Sequence, residues 1–126
     1  MEAKLLFPSG STSINPDGKQ ALIDLSKVLE GQEQLTILVE GHTDTDPFRG
    51  RGEIADNWDL SVMRATAVVK IMLANSNLDP KILTAAGRSE YIPVDESDSP
   101  EAKAKNRRIE IILTPNLDQL FEILDN

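Results

Sequence analysis

The chain contains no cysteine. Disulfides, thiol catalysis and thiolate-ligated zinc are therefore excluded. The absence does not fix a compartment, because a reducing cytosol and an oxidising periplasm both accept a cysteine-free chain. Aromatic residues are scarce, at 4 % of 126 residues, so the core must be mainly aliphatic. Cations are outnumbered, 13 Lys and Arg against 21 Asp and Glu, which leaves a net charge of −8. Nucleic acid is excluded as a partner on that balance, since duplex binding draws its affinity from cations on phosphates. No apolar run approaches the roughly 18–20 residues that span a bilayer. Nor does a basic segment followed by an apolar one mark a secretory leader. Membrane contact is expected only through segments outside this sequence.

What is present is ordinary globular composition, 40 % hydrophobic and 27 % charged, at a length that suits one domain over residues 1–126. Lys4–Phe7 reads as a first strand. Asn15-Pro16-Asp17 is a helix start, with Asn as cap, Pro at the first helical position and an acid in the first turn. Leu22, Leu25, Val28 and Leu29 recur at helical spacing before Gly31. Leu35–Gly41 alternates as a strand, with Leu35, Ile37 and Val39 on one face and Thr36, Leu38 and Glu40 on the other. A long polar loop, Thr45–Asp56, leads into a second helix near Trp58–Ala74, capped by Asp56 or Asn57. Ile82–Gly87 and Arg107–Leu113 read as strands, with a helical turn over Pro100–Lys105 between them. Leu117, Leu120, Phe121 and Leu124 make a last amphipathic stripe, either core or a dimer contact. Interleaved helices and strands predict a two-layer α/β sandwich with a mixed sheet.

One residue breaks the pattern. Projected at about 100° per residue, the second helix has an apolar arc of Leu60, Ala65, Val68, Val69, Ile71, Met72 and Leu73, and Arg64 falls inside it. A core-facing guanidinium needs a partner, because an unpaired buried charge costs several kcal/mol. Two readings stand. Arg64 is an internal salt bridge or snorkelling side chain, or it lines a cleft and grips a ligand carboxylate with its planar fork. Asp44 is the natural complement, because its strand ends where the loop returns to the start of that helix. An ammonium on Asp44 and a carboxylate on Arg64 would match a zwitterion. The bland alternative is that Asp44 pairs with Arg64 or caps the loop.

At these residues a family resemblance becomes specific. Gly41-His42-Thr43-Asp44, then Asn57-Trp58-Asp59-Leu60-Ser61-Val62-Met63-Arg64-Ala65, then Gly87, Pro93 and Asn106-Arg107-Arg108-Ile109-Glu110 resemble the OmpA-like peptidoglycan-binding family (OmpA, MotB and Pal type). The resemblance implies a β-α-β-α-β-β fold, with a four-stranded mixed sheet in a core of about residues 4–114 and a C-terminal helix at about 117–124. It implies a non-enzymatic protein that binds peptidoglycan non-covalently through the diaminopimelate of the stem peptide, with Asp44 and Arg64 holding that group. Asn57 is implied as a polar contact, and Thr43 and Arg108 as shapers of the site. It further implies a periplasmic location against the outer membrane and cell wall, and no cofactor. The long 45–56 loop is closer to Bacteroidetes-type OmpA-like proteins and, with Asn57-Trp58, to the flagellar stator subunit MotB. A stator or envelope-assembly module with conditional wall binding is thus the alternative. Lys103 stands where the family usually has Arg.

Other constellations read as bland. His42, Asp44 and Asp46 are too few for a metal site. No nucleophile motif accompanies His42 and Asp44. Asp95, Glu96, Asp98 and Glu101 lack EF-hand spacing and read as a solvated acidic loop.

Overall fold

The computed structural model describes residues 2–32, 34–50 and 52–115. Its elements run β1 (Glu2–Leu6), α1 (Pro16–Leu29), β2 (Leu35–Gly41), α2 (Asn57–Ala74), a 3-10 turn (Pro80–Ile82), β3 (Leu83–Gly87), α3 (Pro100–Asn106) and β4 (Arg108–Pro115). The helical turn expected near residue 100 is thus a third helix. The expected helix at 117–124 lies outside the described residues.

Each helix starts on a side-chain cap that takes one of the orphan N–H groups of the first turn. Asn15 accepts from Gly18 N at 2.6 Å, Asp56 from Asp59 N at 2.9 Å and Ser99 from Ala102 N at 3.1 Å. Of the two candidate caps for α2, Asp56 fills the role. Asn57 is thereby free to point its amide elsewhere.

β2, β3 and β4 make a mixed central sheet, and β1 pairs with β4 at its edge, in the order β1-β4-β2-β3. β2 and β3 are parallel, with Gly41 opposite Gly87, whereas β2 and β4 are antiparallel, with Gly41 opposite Ile109. A parallel pair needs a crossover, and α2 supplies it. Hydrogen bonds continue past the strand ends, from His42 N to Arg108 O, Arg88 N to Gly41 O and Thr43 N to Ser89 O, each 2.9 Å. The backbone that carries Thr43 and Asp44 is therefore held by hydrogen bonds to both neighbours as it leaves the sheet, rather than running as a loose loop.

The alternation read in β2 holds on the helix side. Ile37 and Val39 are buried with Ile109 and Ile111 of β4, against Leu22 and Leu29 of α1 and Ala65, Val68 and Met72 of α2. Burial of each large aliphatic side chain contributes about 1.5–3 kcal/mol. Phe7 is the one aromatic in this cluster. On the other sheet face the polar end is buried too, with Glu40, His42 and Arg108 in the interior.

Candidate functional site

The end of β2, the 45–48 segment, the start of α2 and the residue before β4 converge on a small cleft. Its walls include Gly10, Thr43, Asp44, Asn57, Arg64 and Arg107. The water-accessible space is about 40 Å³, room for about three water-sized groups. It can seat a charged end group, not a whole ligand.

Arg64 is 0 % exposed. Its fork donates to three backbone carbonyls, through Nε to Ser11 at 2.8 Å and the terminal nitrogens to His42 at 2.9 Å and Pro8 at 3.0 Å. The guanidinium lies 5.0 Å from the Phe7 ring centre, a cation–π distance. Burial pushes its pKa down to about 10, opposed by Asp44 and reinforced by Arg107, so it stays charged at neutral pH. Arg64 thus ties the 8–11 loop to the end of β2. Three of its five N–H groups are used among the described residues, and the residue lines the cleft.

Asp44 does not pair with Arg64. Its Oδ2 accepts from Arg107 at 2.9 Å, and its Oδ1 accepts from Asp46 N at 3.0 Å. The capping alternative is therefore realised, with Arg107 as the ionic partner. An ionised carboxylate keeps further lone pairs for a ligand donor. Arg107 also donates from Nε to Phe7 O at 3.0 Å, and its side chain is 18 % exposed, which makes it the more reachable cation. Asp44 and Asp46 against Arg64 and Arg107 give the cleft wall balanced charge, as suits a zwitterion.

Asn57 donates to Asp46 O at 3.1 Å, while its Oδ1 is buried with no partner. A buried acceptor without a donor is costly unless a water or ligand supplies one. Thr43 lines the cleft, and its hydroxyl donates to Asp44 O at 2.8 Å. Lys103 reaches Asp46 at 2.9 Å and so links α3 to the loop.

Arg108 is placed elsewhere. It lies on the opposite sheet face, donating to Ile92 O at 2.9 Å and facing Glu110 at 3.4 Å. Arg107 is the residue that sequence reasoning missed. The signal was available, because Ile109 faces the helices and strand alternation sets Arg107 on that side and Arg108 on the other. Asn106 is structural, its amide holding Val94 N, Asp95 N and Asp95 O.

Behind the cleft, His42 Nε2 lies 2.8 Å from Glu40 and 3.3 Å from Glu110. These three offer ligand atoms within 4.8 Å of one another. However, Arg88 meets Glu40 at 3.2 Å and Arg108 meets Glu110 at 3.4 Å, so the charges balance without a dication. Burial, then the Arg108 charge, lower the His42 pKa from its ordinary 6.5, against the opposing pull of the two glutamates. A pKa depressed by folding means that the native state favours neutral imidazole. That contribution is complete above pH 6.5 and is lost as pH falls towards the folded value. The urea midpoint should accordingly decline as pH falls below 6.5, and His42→Asn should flatten that part of the decline. An identical slope in the variant would remove His42 as its source.

The OmpA family model matches residues 6–107. The chain belongs to the OmpA family. It is 34 % identical over 111 residues to Motility protein B of Bacillus subtilis, covering 88 % of this chain and 42 % of that protein. It is 30 % identical to Outer membrane protein A of Bordetella avium over 109 residues, 86 % of this chain and 53 % of that one. The chain thus spans about half the length of these curated relatives. Among solved structures, the C-terminal domain of Helicobacter pylori MotB superimposes with a TM-score of 0.81 at 26 % identity, covering 98 % of this chain and 96 % of that one. The peptidoglycan-associated lipoprotein of Burkholderia pseudomallei shares the fold, at a TM-score of 0.76 and 24 % identity over 88 % of this chain and 89 % of that one.

Proposed function

We propose that this OmpA-family domain binds peptidoglycan non-covalently in the periplasm, seating the diaminopimelate end of a stem peptide in the cleft. The ligand ammonium rests on Asp44 and its carboxylate turns to Arg64 and Arg107, with Asn57 Oδ1 accepting a peptide N–H. Thr43 shapes the mouth, and Arg108 supports the strand end from the far face. The observation that carries this reading is a charge-balanced cleft of end-group size that contains a buried acceptor without a donor. The arrangement is one of fixed charges and an amide acceptor around a space of end-group size, which suits binding.

The test is sedimentation with purified peptidoglycan, joined to calorimetry with a diaminopimelate-containing stem peptide and a lysine-containing one. Asp44→Asn and Arg107→Ala should each weaken binding about 10- to 100-fold, the scale of one charge-assisted hydrogen bond. The lysine peptide, which lacks the second carboxylate, should bind more weakly than the diaminopimelate one. If both variants bind like wild type, the site is misassigned.

A second reading, the wall-binding domain of a stator-type protein, is favoured by the 34 % identity to Motility protein B and the match to the MotB domain over 98 % of the chain. Under it, a Bacillus subtilis Motility protein B carrying this domain in place of its own should restore swimming to a strain lacking that protein. No restoration would favour a passive outer-membrane anchor. The loop likeness to Bacteroidetes-type proteins belongs to that anchor reading.

A further inference from the structure

The chain has one Trp and one Tyr. Neither is spent on the core, for Trp58 is 50 % exposed and Tyr91 63 %. They lie against each other, ring centres 5.6 Å apart and planes tilted by 37°. Large aromatic surface left in water beside a cleft marks a recognition surface.

The pair forms one side of an open groove of about 270 Å³ that shares Pro47, Phe48 and Asn57 with the cleft. That shared wall gives a molecule whose end group enters the cleft a continuous path into the groove. The charged residues of the groove are Asp56 and Glu90, with no Lys or Arg among the described residues of its lining. An anionic ligand is therefore disfavoured, whereas hydroxyl and amide donors find carboxylate acceptors.

The platform is held in advance. Ser89 adopts φ 53°, a left-handed conformation that costs a non-glycine residue about 1–2 kcal/mol. It is locked there by Ser89 N to Ser61 Oγ at 3.1 Å and Thr43 N to Ser89 O at 2.9 Å. Tyr91 N then turns back on Arg88 O at 3.3 Å, which brings the Tyr ring over Trp58. Strain held in place to set one exposed ring on another points to function rather than packing.

We propose that Trp58 and Tyr91 form a stacking platform for a neutral N-acetylated amino sugar of the glycan strand. The apolar face of a pyranose ring lies on the aromatics, and its hydroxyl and amide groups meet Glu90 and Asp56. In a wall glycan the stem peptide is amide-linked to its sugar, so that sugar presents no charge to the two acids. The proposal rests on the wall-binding reading and adds a second subsite to it.

Trp58 is the only Trp, so intrinsic fluorescence at Trp wavelengths reports this subsite alone. The full chain is titrated with an N-acetylglucosamine tetramer, a diaminopimelate stem peptide, and a disaccharide carrying that peptide. The tetramer should blue-shift Trp58 emission. The disaccharide-peptide should bind about tenfold tighter than the peptide. Tyr91→Ala should erase both effects and change peptide affinity less than about twofold, because the substitution is at the surface; Tyr91→Phe should keep them. Equal affinity of wild type for the two peptide ligands, or a full gain retained in Tyr91→Ala, overturns the platform. A tetramer shift that Tyr91→Ala abolishes, with no binding of the peptide, upholds the platform and sinks the diaminopimelate reading. Peptide binding with no sugar effect does the reverse.

Discussion

Arg64→Ala is expected to destabilise the domain by about 3–5 kcal/mol, the cost of breaking a buried charged network, rather than silence binding in an intact fold. A guanidinium that only gripped a ligand would lose binding without unfolding, but the structure gives Arg64 three backbone acceptors. The carbonyls of Pro8, Ser11 and His42 each receive one of its N–H groups, and two of them lie in the loop between β1 and α1. Alanine would leave them without donors in a void of guanidinium size. Each lost donor costs about 1–3 kcal/mol when water cannot replace it, and domains of this size hold only about 5–15 kcal/mol in total. Arg64→Lys keeps a charge but not the planar fork, so it should fall between alanine and wild type. Asp44→Asn keeps shape but turns one acceptor oxygen into a donor, so it gives up its bond to Arg107 or to Asp46 N and should cost about 1–3 kcal/mol, less than Arg64→Ala. Urea unfolding of the three variants checks this order. An Arg64→Ala midpoint equal to wild type would show that the three bonds contribute nothing net.

Arg64 was legible because a charge inside an aliphatic arc has no solvated explanation. Its acceptors were not, because a loop carbonyl has the same signature whatever the residue. The place of Asp44 in the cleft wall was legible from strand exit and helix return. Its partner Arg107 was passed over in favour of Arg108, although alternation with Ile109 contained the answer. Glu40 and His42 look like the polar half of an alternating strand. Their burial depends on Arg88 and Arg108 arriving from other strands, a long-range fact that local pattern does not encode. The order of strands and helices was legible from periodicity, whereas the third helix was read only as a turn because seven residues give too little period to detect. The Trp58–Tyr91 contact joins a helix start to a loop 33 positions on, and neither residue alone signals it.

Gly41→Ala should damage both stability and binding, for a reason that links the fold to the cleft. A Cβ at Gly41 would sit 1.9 Å from the carbonyl oxygen of Ser61 and 2.8 Å from its carbon. Both are backbone atoms of α2, so no rotamer change relieves the clash. Gly87, its partner across the parallel pair, meets the same helix turn, 2.4 Å from Ser61 Oγ and 2.8 Å from Val62 N. Two facing glycines thus make a flat patch on which the first turns of α2 rest directly against the sheet. That contact sets the depth at which Asn57 and Arg64 stand relative to Asp44. An added methyl must lift the helix by roughly an ångström or more, and over-packing of this kind costs about 1–3 kcal/mol or higher when the backbone must move. Gly41→Ala should lower the melting temperature by about 10 °C or more. It should also weaken stem-peptide binding about 100-fold in the fraction that still folds, because binding groups tolerate only about 0.5 Å of misplacement. Gly87→Ala meets a side-chain oxygen and methyl as well as backbone, so its effect should be smaller on both counts. Should Gly41→Ala melt and bind like wild type, α2 would not rest on the sheet at this point, and the geometry assigned to the cleft would fall with it.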